Sequence, residues 1–125
     1  MADITPVALD YILTARTFNT ASSGGDKIVQ PGGTQRMLLV FKNTAAGVRT
    51  VTITAQDTAP TLAGYGVVAV EDKVLALADG SSTPTYSKPV EIPKLGFNNP
   101  ADSDKVAVTY SSEVGVLLRA YYMSA

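Results

Sequence analysis

The stretch from residue 36 to residue 56 constrains the fold more than any other part of the sequence. Residues 37–41 are apolar throughout, which is typical of a strand that is covered on both faces. Residues 50–55 alternate threonine with valine, isoleucine and alanine, and this period of two places the apolar set on a core. Residues 43–47 between them supply asparagine, glycine and two small alanines, which suit a tight reversal. The stretch therefore predicts two strands joined as a β-hairpin.

Further short runs of the same kind, separated by turn-forming residues, follow along the chain. The additional predicted strands are residues 27–30, 67–70, 73–78, 86–94, 105–110 and 114–122. Residues 105–110 and 114–122 predict a second β-hairpin. Because Pro89 and Pro93 each remove a ladder donor, the strand at 86–94 is expected at a sheet edge or interrupted. About eight short strands with turns between them predict an all-β, single-domain β-sandwich or jelly-roll-like fold.

The N-terminal residues 1–18 carry large apolar groups on both faces and have two competing interpretations. An extended arm or first strand would be buried on both sides or against another chain. In a helix, Thr5 would be the cap and Pro6 would occupy the first position. The threonines and the missing C-cap favour the strand. With the small, polar loop that follows, we expect an arm or first strand and loop at residues 1–26 and a β-sandwich domain at residues 27–125.

Composition argues against several classes of function. With 46% apolar and 17% charged residues, the balance is that of a globular domain. The formal net charge is −1 and no basic run occurs, so a nucleic-acid partner is not expected. Absence of cysteine excludes thiol chemistry, and absence of histidine removes the usual acid–base catalyst and most zinc sites. No stretch has the length of a membrane span or the pattern of a signal peptide, so we expect a soluble protein without a membrane partner.

One cluster of oxygen-bearing side chains is a candidate metal site. Asn98, Asn99, Asp102 and Asp104 lie close together in sequence, and Ca²⁺ takes six or more oxygen ligands of this kind. The competing interpretation is a surface turn before a strand, where asparagine, proline, aspartate and serine have local structural roles. The spacing does not match an EF-hand loop, so the turn is favoured and no cofactor is expected. Since the sequence shows neither a constellation of catalytic carboxylates nor a phosphate-binding glycine loop, an enzyme is not expected.

Candidate contacts with a partner chain lie towards both ends of the sequence. Tyr121 and Tyr122 are adjacent, so in a strand they face opposite ways and need contacts on both faces. A partner chain is a reasonable supplier of one of these contacts. The residues that we predict at the interface are Ile4, Val7, Leu9, Tyr11, Ile12, Tyr121 and Tyr122. Removal of residues 1–18 is then expected to abolish partner binding and to leave the sandwich largely folded.

Three segments carry a resemblance when they are taken in order. They are Gly-Gly-Asp-Lys at 24–27 and Pro-Gly-Gly at 31–33 leading into residues 37–44, Val-Thr-Ile-Thr at 51–54, and Ile-Pro-Lys-Leu-Gly-Phe at 92–97 followed by residues 104–112 and 114–116. With these segments the chain resembles small structural proteins of tailed-bacteriophage virions, in particular head decoration, or cement, proteins. The resemblance covers most of the chain from Gly24 onward, but not the region from Tyr65 to Ser87.

The resemblance implies a non-enzymatic β-sandwich or jelly-roll subunit that binds and stabilises the shell of major capsid protein. It further implies a homo-oligomer, with a trimer favoured, on the outer surface of the virion after synthesis in the host cytoplasm. Many copies joining neighbouring capsomers would gain from avidity, because each later contact is intramolecular. Two alternatives stay open: another phage structural subunit, from the tail, neck or a head fibre, and a carbohydrate-binding jelly roll. The absence of tryptophan counts against the second.

Overall fold

The computed structural model describes residues 2–8, 18–30 and 35–123, and these residues form thirteen β-strands and one 3₁₀-helix, Pro100–Asp102. The strands in chain order are β1 (Ala2–Ile4), β2 (Val7–Ala8), β3 (Asn19–Thr20), β4 (Asp26–Val29), β5 (Arg36–Asn43), β6 (Arg49–Ile53), β7 (Thr61–Leu62), β8 (Gly66–Val67), β9 (Lys73–Leu77), β10 (Thr85–Tyr86), β11 (Val90–Ile92), β12 (Lys105–Tyr110) and β13 (Val116–Met123). Within the described ranges, no helix is long and apolar enough to cross a bilayer.

The strands form two main sheets and one small sheet. The first sheet has the order β1, β4, β12, β6, β9. The second has the order β10, β5, β13, β2, with β11 also pairing with β5 and β3 also pairing with β13. The small sheet contains β7 and β8. The pairs β1–β4 and β2–β13 are parallel. The predicted all-β sandwich is confirmed, whereas its jelly-roll form stays a prediction.

The core lies between the two main sheets and is built from alternate residues of their strands. On β5, Met37, Leu39 and Phe41 are fully buried, and the residues between them are half-buried, so this run is not covered equally on both faces. On β6 the predicted alternation is confirmed, because Val51 and Ile53 are fully buried while the threonines beside them are half-buried. The other buried apolar residues are Ile4, Ala21, Ile28, Ala55, Leu77, Ile92, Phe97, Val106, Val108, Val116, Leu118 and Ala120.

Neither of the two predicted β-hairpins forms. β5 pairs with β10, β11 and β13 in the second sheet, whereas β6 pairs with β9 and β12 in the first. In the same way β12 belongs to the first sheet and β13 to the second. We call residues 44–48 the first crossing and residues 111–115 the second crossing, since each passes from one sheet to the other. Both predictions were wrong because a period of two specifies which face of a strand is buried but does not specify which strand lies beside it.

The strand expected at residues 86–94 is an interrupted edge strand, as its prolines predicted. β10 and β11 both pair with β5 at one edge of the second sheet, and the strand breaks between them. Ser87 bridges the break: its N–H donates to the Phe41 carbonyl at 2.8 Å, and its Oγ accepts from the Phe41 N–H at 2.9 Å. A side-chain oxygen thus replaces a ladder acceptor, and the backbone of β5 stays paired.

Candidate interaction surface

Part of the N-terminal segment that was predicted to reach a partner lies against the last described strand of the same chain. β2 runs parallel to β13, with Val7 opposite Tyr121 and Ala8 opposite Tyr122. We call these four residues the terminal edge, because β2 is the outermost strand of the second sheet within the described ranges. The structure therefore brings three predicted interface residues together, Val7, Tyr121 and Tyr122. The other predicted positions in this segment, Leu9, Tyr11 and Ile12, lie outside the described residues.

Ile4 belongs to the interior of its own chain. It is 3% exposed and lies opposite Ile28 in the parallel pairing of β1 with β4. The prediction that Ile4 contacts a partner is therefore corrected, because the sandwich already buries its side chain. Residues 2–8 form strands of both main sheets, so removal of residues 1–18 would take a core side chain with it. The division of the chain between residues 26 and 27 stays a prediction; it falls inside β4.

Two concave surfaces lie in this part of the molecule. The first, about 260 Å³ in volume, is lined by Thr5, Pro6, Val29, Gln30, Gln35 and Tyr122. The second, about 280 Å³, is lined by Gln30, Gln35, Arg36, Glu91, Ile92, Pro93 and Lys94. Both amide atoms of Gln30 are buried and have no hydrogen-bond partner among the described residues, which is costly for a polar side chain. A polypeptide partner that supplied a donor and an acceptor here would remove this cost.

Two ion pairs fasten side chains near these surfaces. Lys105 Nζ lies 2.7 Å from Asp3 Oδ2, and this hydrogen bond raises the pKa of Lys105. Arg36 donates to both carboxylate oxygens of Glu91 at 2.7 and 2.5 Å, and these bonds lower the pKa of Glu91. Since both pairs are reached by solvent, they orient the side chains and contribute little stability.

Asn99 and Asp102, two of the four candidate Ca²⁺ ligands, have separate structural partners. Asn99 Oδ1 accepts from the Ala101 N–H at 3.1 Å and caps the 3₁₀-helix. Asp102 accepts from Lys27 Nζ, and this hydrogen bond lowers the pKa of Asp102. Asp104 has a positive φ of 59° that ends the turn, and Asn98 Oδ1 is buried with no partner in the described part of the chain. In the described ranges no group of three acidic, histidine or cysteine side chains could hold a metal ion. The turn interpretation accounts for this geometry.

The sequence analysis missed a second exposed apolar surface, which we call the surface hairpin (residues 58–70). It is an antiparallel pair of β7 with β8, extended by hydrogen bonds from Val68 N–H to the Pro60 carbonyl at 2.9 Å and from Val70 N–H to the Thr58 carbonyl at 3.0 Å. Its exposed large residues are Leu62 (39%), Tyr65 (83%) and Val67 (70%).

The signal for the surface hairpin was present but was assigned to other elements. The sequence analysis placed residues 67–70 in a strand of their own and left the preceding residues outside any strand. A continuous apolar run is compatible with either a core strand or an exposed surface, and only tertiary structure distinguishes them. Gly64 and Gly66, with φ of 82° and 83°, form the turn that folds the run back on residues 61 and 62.

Comparisons with known proteins add no family to this geometry. No protein family, curated protein or solved structure was found to match the chain. Two surfaces are therefore candidates for contact with a partner, the terminal edge and the surface hairpin.

Proposed function

We propose that the chain is a non-enzymatic structural protein of a tailed-phage virion, which binds the outside of the capsid shell and stabilises it. The terminal edge carries this proposal. Val7 and Tyr121 are far apart in sequence, were both assigned to a partner interface, and are paired neighbours on one sheet edge. The edge adjoins a concave surface that includes Tyr122 and the amide of Gln30, which has no hydrogen-bond partner among the described residues. Within the described ranges no strand pairs with the outer side of β2, and an open sheet edge can add a partner strand through main-chain hydrogen bonds, with side chains supplying specificity.

A clamp on a repetitive shell needs a rigid subunit, an adhesive surface and many copies. The sandwich supplies rigidity through a single core shared by both main sheets. Half-buried tyrosines such as Tyr121 and Tyr122 suit an interface, since each combines a large apolar area with a polar hydroxyl. We further propose a homo-oligomer, with a trimer favoured, because simultaneous contacts from linked subunits raise the effective affinity for the shell.

The direct test uses capsids of the source virus assembled without this protein. Purified protein is expected to sediment with these capsids at a saturable number of copies and to raise the temperature at which the shell opens. The variant Tyr121→Ala is expected to bind at least about tenfold more weakly, as for an aromatic hot-spot residue. Tyr86→Ala is the control, since Tyr86 is a tyrosine that is more exposed (59%) than the half-buried Tyr121 and lies on β10, at the opposite edge of the second sheet. Wild-type protein that does not sediment with capsids would refute the proposal.

Position on the virion and oligomeric state need separate measurements. Gold-labelled antibody is expected to decorate heads evenly; labelling confined to the tail, neck or fibres would favour the other structural role. Light scattering during size-exclusion chromatography is expected to give three times the 13.0 kDa chain mass. A 13.0 kDa species would contradict the trimer and leave the capsid contact to single subunits.

A further inference from the structure

The surface hairpin is an adhesive element without charge. None of its residues, 58–70, carries a charged side chain, although nearly all of them are exposed. Its large apolar residues are Leu62 and Val67 on the two short strands and Tyr65 in the turn between them. Tyr65 is 83% exposed, more than any other large hydrophobic residue in the described part of the chain. Exposed apolar groups that are contiguous along one element mark an interaction site more often than scattered ones.

The base of the hairpin is held firmly by the sandwich. The Gly96 carbonyl accepts from the N–H groups of both Gln56 and Asp57, at 2.7 and 3.0 Å. On the returning strand, Val70 packs against the core and Gly96, leaving no room there for a Cβ. Asp72 Oδ1 then accepts from the Ala55 N–H at 2.7 Å. Both ends of the hairpin are therefore fixed, and a fixed element loses little conformational entropy when it binds.

Charges at the base of the hairpin indicate the chemistry of the partner. Asp57 precedes the hairpin and Glu71 and Asp72 follow it, and all three are exposed. The hydrogen bond between residues 58 and 70 brings these carboxylates to the same end of the hairpin. A surface that accepts the apolar tip would be complementary if it carried lysine or arginine around an apolar pocket.

We infer that the surface hairpin inserts Leu62, Tyr65 and Val67 into an apolar pocket of the major capsid protein, rimmed by basic side chains that face Asp57, Glu71 and Asp72. This inference rests on the proposed function, because it takes the capsid shell as the partner. The surface hairpin connects β6 to β9, which are neighbours in the first sheet, so it would add a second contact to the one at the terminal edge.

Two other occupants fit the charges less well. A membrane surface is commonly anionic, so it would repel the three carboxylates, and helices and loops that bind it usually carry lysine or arginine. A second copy of the chain would offer the 280 Å³ concave surface, but Arg36 there is already neutralised by Glu91. A foreign protein with unpaired basic groups around a pocket is the better complement.

The test measures binding of purified variants to capsids assembled without this protein. Tyr65→Ser is expected to raise the Kd at least about tenfold, because truncating a central aromatic anchor removes a hot spot. Glu71→Lys is expected to weaken binding mainly at low salt, since it reverses one charge facing the rim. Val114→Ser and Tyr86→Ser are matched controls, because both residues are similarly exposed (63% and 59%) and lie outside the hairpin. Thermal unfolding of every variant checks that the fold is kept.

The outcomes separate this inference from the proposed function. If wild-type protein does not bind capsids, the proposed function and this inference both fail. If wild-type protein binds and Tyr65→Ser binds equally well, only the hairpin inference fails. Loss of oligomer mass by light scattering in Tyr65→Ser would assign the hairpin to a second copy and overturn it. Binding of wild-type protein, but not Tyr65→Ser, to phosphatidylcholine–phosphatidylserine vesicles would assign it to a membrane and also overturn it.

Discussion

The two crossings between the sheets start from side chains of different chemistry. At the end of β5, Asn43 is fully buried and neutral, and its amide is completely paired. Asn43 Nδ2 donates to the carbonyls of Gly47 and Ala78 at 3.0 and 2.9 Å, and Oδ1 accepts from the Ala45 N–H at 2.9 Å. One side chain thus organises the first crossing and ties it to the residue after β9. Because the amide of Asn43 does not titrate, its contribution to the free energy of unfolding is the same at every pH at which the chain is folded.

The second crossing starts from an ionisable pair instead. At the end of β12, the Tyr110 hydroxyl donates to Asp26 Oδ2 at 2.7 Å, and Asp26 is fully buried on β4. Burial, and then the hydrogen bond to Asp26, raise the pKa of Tyr110 far above its usual range. Within the residues that the structure describes, Asp26 Oδ1 has no hydrogen-bond partner, so this anchor is less completely satisfied than the amide of Asn43. The stability of the second crossing is therefore sensitive to pH.

The crossings also contact each other, so a defect in one reaches the other. The Gly115 carbonyl accepts from both the N–H and the Oγ1 of Thr44, at 2.8 and 2.9 Å. Arg49 Nε donates to the Val114 carbonyl at 3.2 Å. The contrast shows that equivalent connections can be anchored by different chemistry and with unequal satisfaction of hydrogen bonds, and the following substitutions test how far the two differ.

The largest effect is expected for Asn43→Ala. The variant removes a fully buried side chain and its three part-buried hydrogen bonds, and should lower the free energy of unfolding by about 3 kcal/mol. Urea unfolding at pH 7 measures the loss. Asn99→Ala is the control, since it removes one hydrogen bond at an exposed turn and should cost about 1 kcal/mol or less. Equal losses in the two variants would remove the special role of Asn43.

Next in size is Gly115→Ala in the second crossing. A Cβ there would lie 2.5 Å from the Ala45 Cβ, and the φ of 76° disfavours any other residue than glycine. Crowding and backbone strain together should cost about 2 kcal/mol. Gly24→Ala isolates the strain, because Gly24 has a φ of 83° and open space around it. If thermal unfolding gives the two variants the same midpoint, crowding against Ala45 contributes nothing to the loss of stability in Gly115→Ala.

A smaller loss at neutral pH is expected for Tyr110→Phe, about 1–2 kcal/mol, because Asp26 loses its hydroxyl donor. Its pH dependence is the sharper test. The raised pKa of Tyr110 means that its contribution is present below the ordinary tyrosine pKa of about 10 and is lost as the pH rises above it. The unfolding free energy of wild-type protein should therefore fall more steeply above pH 10 than that of Tyr110→Phe. Tyr86→Phe, with an exposed ring, should follow wild-type protein.

The smallest effect is expected for Asp79→Asn. It would show that the first crossing also has a contribution that depends on pH. Asp79 accepts from the Gly47 N–H at 2.8 Å and from Ser81, and these bonds lower its pKa to about 2. Its contribution is therefore present above the ordinary value of about 4 and is lost as the pH falls from there towards 2. Acid titration of the unfolding midpoint should be flatter for the variant. An unchanged curve would mean that this exposed carboxylate does not support the first crossing.

The sequence was sufficient to locate the longer strands of the two main sheets, but not the surface hairpin or the way in which the strands pair. Alternation identified β6 and its buried residues, and Pro89 predicted the break between β10 and β11. The pairing of β5 with β13 joins residues that are distant in sequence, and no local pattern encodes such a partner. The local pattern also did not reveal that Asn43 is buried, since an asparagine in a short stretch that ends in glycine is equally typical of an exposed turn.

The candidate surfaces could be predicted only in part, because a local pattern does not specify tertiary contacts. Adjacent tyrosines at 121 and 122 were a readable signal, and β2 lies beside them. Ile4 was misassigned because an apolar residue near the start of a chain fits a core strand and an extended arm equally well. Tyr65 and Val67 were not selected, because exposure depends on what the rest of the fold leaves uncovered.

The position of β13 in the second sheet has a consequence for synthesis on the ribosome. β13 pairs with β5, β3 and β2, all of which emerge earlier in translation. Until β13 emerges, the long edge of β5 lacks its main partner, and a nascent chain with such an edge is prone to pair with its neighbours. Folding is thus delayed until residues 116–123 are available, and slow translation before them would favour aggregation over assembly.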